Sequence, residues 1–137
     1  MKTTRLKTFE TNSSSSHSIV LNNSKRQDTL YVDPETKTVT IGRHEFGWGH
    51  DEYDGAYAKA SYALQDTEGD EFNFEQVKAA IKEVTGAENV ELTGEGYIDH
   101  QSVGTFLSFQ PAHLNTKDWA RDFIFFNYDL VIDNDNH

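Results

Sequence analysis

The stretch TLYVDPETKTVTIG, residues 29–42, narrows the fold more than any other part of the chain. Leu30 and Val32 alternate with polar neighbours, as do Val39 and Ile41, which is the period-two pattern of a strand with one buried face. Between the two runs Asp33 precedes Pro34, whose fixed φ suits the second position of a type I turn. The pattern predicts a β-hairpin, 29–33 against 37–42. A two-stranded ribbon is marginal in water and needs further strands or a helix on its apolar face. The rest of the chain must supply them without help from disulfides, because it contains no Cys.

Residues 73–85 supply the best-specified helix. Asn73 is the expected N-cap, with Gln76 three residues on as in a capping box, and Phe72 and Val77 in the positions of a hydrophobic staple. Phe74, Val77, Ile81 and Val84 form its apolar stripe, and Gly86 stops it. A helix from an Asp54 cap to about Gln65 would turn Tyr57, Ala60, Ser61 and Leu64 to one side. A third, capped by Asn115 or Thr116, sets Trp119, Phe123 and Phe126 on one face. Strands are expected at 4–10, in HSIVLN at 17–22, at 89–93, at 104–109 and in YDLVID at 128–133. Strands come first and then mix with helices, so the expected fold is a single α+β domain spanning 1–137, mainly an antiparallel sheet with an N-terminal hairpin and two to three helices. Nine Phe, six Tyr and two Trp among 137 residues make its core material aromatic.

The net charge of −11 is unevenly placed. Residues 1–43 carry seven Lys/Arg and four Asp/Glu, and residues 44–137 carry five and nineteen, a split of +3 against −14. So acidic a body repels the phosphate backbone, which argues against general nucleic-acid binding; the plainer account of the charge is a solvated surface, the sharper one a face for a partner with a basic surface. No window reaches the ~18 apolar residues of a membrane span. The N-terminus lacks the apolar run of a secretion signal, so a cytoplasmic location is expected.

Chemistry-bearing residues cluster in four places. TNSSSSHS places Ser13, Ser14, Ser15, Ser16 and His17 between two apolar stretches. Hydroxyls and exposed N–H groups suit a phosphate, and His17 could serve as acid or base; the plainer alternative is a polar turn whose side chains satisfy local backbone. GYIDHQS carries Asp99, His100 and Ser102 in a glycine-bounded loop, and His100 brought beside His17 would make a two-histidine site for phosphoester chemistry. HEFGWGHDE offers His44, Glu45, His50, Asp51 and Glu52 as ligand types, but the histidine spacing matches no metal motif. DNDN at 133–136 has alternating oxygen ligands without the Gly and distal Glu of a calcium loop. No metal site and no cofactor follow from these.

The opening RLKTFETNSSSSHSIV resembles that of a group of small uncharacterised proteins from tailed bacteriophages and some bacteria, which begin with E-T-N-S-S-S-x-H-S. The likeness continues in EFGWG, YAKASYAL, GYIDHQS and DFIFFNYDLVIDNDN, and so covers most of the chain. It implies a phage or mobile-element context and no mechanism. Two functions are expected from these readings. One is an acidic accessory protein that binds a host protein and inhibits or redirects it, by presenting a nucleic-acid-like acidic face. The other is an enzyme, a hydrolase or transferase, or a binder acting on a phosphorylated small molecule or nucleotide through Ser13–Ser16, His17 and His100. A virion component is a third class that the sequence leaves open.

Overall fold

Leu130 and Ile132 are buried with half-buried Val131 between them, because their strand lies in the middle of a sheet. In the computed structural model, which describes residues 15–22, 27–47, 50–98 and 105–134, this strand pairs on both sides. The elements run β1 (Ser15–Leu21), β2 (Thr38–Gly42), β3 (Glu45–Phe46), β4 (Asp51–Tyr53), α1 (Ala56–Thr67), α2 (Glu71–Thr85), β5 (Asn89–Thr93), β6 (Tyr97–Ile98), α3 (Thr105–Ser108), α4 (Thr116–Phe125) and β7 (Tyr128–Asn134). Strands β1, β7 and β4 form an antiparallel sheet with β7 central. Strands β2 and β5 form a parallel pair, and so do β3 and β6. The fold is α+β, with four helices among the described residues.

The hairpin is the main departure from expectation. Its turn forms: the Asp33 N–H donates to Thr38 O at 2.9 Å, and Asp33 Oδ1 accepts from the Glu35 N–H at 2.8 Å. Beyond that single bridge the arms part, and residues 29–32 join no ladder. Strand β2 instead runs parallel to β5, register Val39 with Val90 and Ile41 with Leu92. The intervening α1 and α2 make the long crossover that a parallel pair requires. Val39 and Ile41 are 1% and 0% exposed there, a burial the sequence pattern announced without saying which strand would lie alongside.

Helix α2 starts earlier than expected. Asp70, not Asn73, is its N-cap, accepting from the Asn73 N–H at 3.3 Å and the Asn73 side-chain amide at 2.7 Å. Asn73 uses its own Oδ1 to accept from the Thr116 hydroxyl at 2.7 Å, tying the start of α2 to the start of α4. Phe72 is 70% exposed, so no staple forms. The stripe stands as read: Val77, Ala80 and Ile81 are fully buried, Phe74 and Val84 pack at its margins, and Gly86 adopts the left-handed conformation at φ 80° that ends the helix. Helix α1 has no capping side chain of its own, and Asp54 is exposed. Its first N–H, on Ala56, is satisfied at 2.8 Å by Asp28, a carboxylate 28 residues upstream. Residues 105–108, expected as strand, are the helical turn α3, held by Asp66 accepting from the Phe106 N–H at 2.9 Å. Asn115 caps α4 as expected.

Helix α1 is central. It packs on α2, α4 and α3, and Ala60, Ser61, Tyr62, Ala63 and Leu64 are all fully buried. A helix enclosed on most sides buries nearly all positions, not one stripe. Lys59 is enclosed with them; its Nζ donates to Tyr128 O at 2.7 Å and Phe126 O at 3.4 Å, and sits 5.9 Å from the Phe123 ring. It thus ties the carbonyls of the turn between α4 and β7 to α1. Trp119 stacks on Phe106 with centroids 5.9 Å apart and donates its Nε1–H to Phe106 O at 2.8 Å.

Candidate functional site

The serine run is strand where the structure describes it. Ser15, Ser16, His17 and Ser18 belong to β1 and pair with Asn134, Asp133, Ile132 and Val131 of β7. The expected polar loop is therefore replaced, over this half, by an antiparallel ladder, which sets Ser16 and His17 on opposite faces by alternation. Ser13 and Ser14 lie outside the described residues, as do Asp99, His100 and Ser102.

His17 shares the face of β1 that buries Ile19 and is itself half-buried. Its Nδ1 lies 2.8 Å from the hydroxyl of Tyr62, and the two rings are 5.7 Å apart. Tyr62 is fully buried in the middle of α1, edge-on to Phe46 at 5.2 Å. Burial raises the Tyr62 pKa above its ordinary value; a hydrogen bond from the Thr105 side chain opposes this, and the charge of Asp66 adds to it. Tyr62 is therefore a neutral phenol. The Tyr62 hydroxyl and His17 Nδ1 share one hydrogen bond, its direction set by the imidazole tautomer. Tyr62 thus joins His17 to Thr105, the residue that follows the 99–104 stretch. Sequence reasoning missed Tyr62 because it falls off the face assigned to α1. The signal was the alanine content of YAKASYA, which marks a helix closely surrounded.

A second knot closes the end of β2. The Gly42 N–H donates to the Tyr57 hydroxyl at 2.7 Å, and the Ser61 hydroxyl lies 2.7 Å from Gly42 O and 2.9 Å from Gln65 Oε1. Gln65 reaches both backbone groups of His44, accepting its N–H at 2.8 Å and donating to its carbonyl at 3.1 Å. His44 Nδ1 is 3.3 Å from Ser61 Oγ and 3.1 Å from Gly42 O. A serine beside an imidazole suggests a nucleophile and its base. Here Ser61 is fully buried and its single hydrogen is committed to an acceptor, so the arrangement clamps the β2–β3 turn onto α1. His50 lies apart, 3.6 Å from Glu52 and 3.8 Å from Asp133, all well exposed. Among the described residues, no three His, Asp or Glu side chains are grouped to hold a metal ion.

Charge is the remaining feature. Of the five cations in the acidic body, Lys59 is buried, Lys78 lies over Phe74 and beside Glu75, Lys82 stands in the last turn of α2, Lys117 pairs with Glu83, and Arg121 pairs with Asp118 and Asp122. Arg43 binds Glu68. Glu45, Asp51, Glu52, Glu88, Glu91 and Glu95 all face solvent. Among the described residues no helix is long and apolar enough to cross a membrane. No protein-family model matches the chain, and no curated protein and no solved structure matches it either.

Proposed function

We propose that the protein is a binding protein whose acidic body docks a basic surface of a partner protein and blocks or redirects it. The observation that carries this reading is the charge of residues 44–137, nineteen carboxylates against five cations, with Glu45, Asp51, Glu52, Glu88, Glu91 and Glu95 exposed to solvent. Such a field steers association with a basic partner and repels nucleic acid. The resemblance of the N-terminal stretch to small phage proteins extends the proposal: the partner is a host protein met in the host cytoplasm. The test is affinity capture from a bacterial lysate with a salt-step elution and mass spectrometry of what is retained. Proteins with basic faces, released as ionic strength rises through about 0.1 M where the Debye length falls to ~10 Å, are expected. Retention that ignores salt would remove electrostatics from the account.

A second reading has one observation in its favour, the Tyr62 hydroxyl that joins His17 to Thr105. On that reading His17, the serines and His100 hold a phosphate-containing ligand. Titration of wild type and His17→Ala with inorganic phosphate and with a nucleoside monophosphate tests it. Affinity in neither case discards the reading.

A further inference from the structure

We infer that the free edge of β2 is the docking place, and that it takes an extended segment of a basic partner as an added strand. The backbone geometry comes first. The Arg43 N–H donates to Thr93 O and the Lys37 carbonyl accepts from the Asn89 N–H, so residues 37, 39, 41 and 43 turn their peptide groups toward β5. By alternation the peptide groups of 38, 40 and 42 point the other way. Thr38 O accepts there from the Asp33 N–H, while the Gly42 N–H and carbonyl are taken by Tyr57 and Ser61. Between these two closed ends stands Thr40, exposed, with its N–H and C=O directed at the gap left where the hairpin arms part. Among the described residues no backbone group pairs with it on that side.

The gap is a cavity of about 210 Å³ lined by Leu30, Tyr31, Asp33, Val39, Ile41 and Tyr57, besides the two threonines. Tyr31 is 77% exposed and Tyr57 46%. An unpaired donor and acceptor beside an apolar recess are the two elements of strand addition: main-chain bonds for affinity, a side-chain pocket for selectivity. An exposed strand edge also invites pairing by its nature. The recess has room for one or two apolar side chains. Asp33 lines the recess, Glu35 and Lys37 are exposed in the adjoining turn, and Glu91 is exposed on β5 in register with Thr40. The occupant is therefore an extended segment with apolar residues at alternate positions and Lys or Arg on the face between them. This inference rests on the reading of the protein as a binder of basic partners, and names where and in what conformation that partner is held.

The test uses fluorescence polarisation of the full-length protein with a labelled Lys-Val-Lys-Phe-Lys peptide and with Lys-Lys-Lys-Val-Phe, of the same composition and charge. The alternating peptide should bind at least about tenfold more tightly. Thr40→Pro removes the edge N–H and leaves the bonds to β5 in place, and should cost about tenfold; Thr40→Val, which keeps the N–H, should stay within about twofold. Methylating the central peptide nitrogen should weaken binding to the wild-type protein by a similar factor, which guards against a folding defect in the proline variant. Equal binding of both peptides, or of Thr40→Pro and wild type, overturns the edge and leaves the charge-based reading standing. Failure of polylysine to bind at all sinks both. A concentration-dependent dimer abolished by Thr40→Pro would assign the edge to a second copy and overturn the partner named here.

Discussion

Removing the Tyr62 hydroxyl asks whether His17 is a part of the core or a group held ready for a ligand. Tyr62→Phe keeps the ring and its edge contact with Phe46 at 5.2 Å, and deletes only the oxygen that lies 2.8 Å from His17 Nδ1. The change strands the hydroxyl of Thr105, which is 6% exposed, while the half-buried His17 can recover a water. One buried partner left unsatisfied costs about 1–3 kcal/mol. His17→Ala strands the fully buried Tyr62 hydroxyl in turn and should cost a similar amount. Because both variants delete the same bond, the double variant should fall short of additivity by about 0.5–1.5 kcal/mol, the net value of one hydrogen bond. Urea denaturation is the assay. With a slope of about 2 kcal/mol per M, a loss of 2 kcal/mol moves the midpoint by about 1 M, well outside fitting error. A coupling below about 0.3 kcal/mol, with His17→Ala as stable as wild type, would refute the bond and with it the one observation that favours the phosphate-binding reading.

Ile81→Ala empties a fully buried position on α2 and should cost about 2–5 kcal/mol, lowering the melting temperature by roughly 5–15 °C in calorimetry. A Cβ at Gly96 would lie 2.5 Å from His44 O and 2.6 Å from His44 N, backbone that cannot step aside, so Gly96→Ala should destabilise by about 1–3 kcal/mol. Gly69→Ala, with nothing within 4 Å, should stay within about 0.5 kcal/mol by the same denaturation measurement. Stability should also fall in alkali. Tyr62 and Tyr53 are both raised above the ordinary 10.0, chiefly by burial. Above about pH 10 the unfolded chain loses these protons first, so it binds fewer than the native state and stability declines as pH rises. Denaturation midpoints at pH 9 and pH 11 should differ, and Tyr62→Phe should flatten that difference; an unchanged slope would contradict the burial of the phenol.

Local pattern determined most elements, although 104–109, expected as strand, folds in part as the turn α3 and residues 29–32 join no ladder. The 3.6-residue spacing of Val77 and Ile81, the αL glycine at 86, the Asn115 cap and the alternation in 89–93 and 128–133 were legible because the signals lie within a few residues of the structure they create. The acidity of residues 44–137 was equally plain. What lies beside what was decided only by the tertiary structure. Period-two burial of Val39 and Ile41 is the same whether the neighbour is the preceding arm in an antiparallel hairpin or β5 in a parallel pair. The choice went to the neighbour that buries Val90 and Leu92 on the same face. Asp28 supplies a cap to α1 from outside the helix, Asp70 displaces Asn73 at the start of α2, and Lys59 finds the carbonyls of Phe126 and Tyr128. None of these partners lies within the window that secondary-structure signals occupy. The same holds for the site: His17 could be named from sequence, but Tyr62, 45 residues away, could not be paired with it until the fold set α1 against β1.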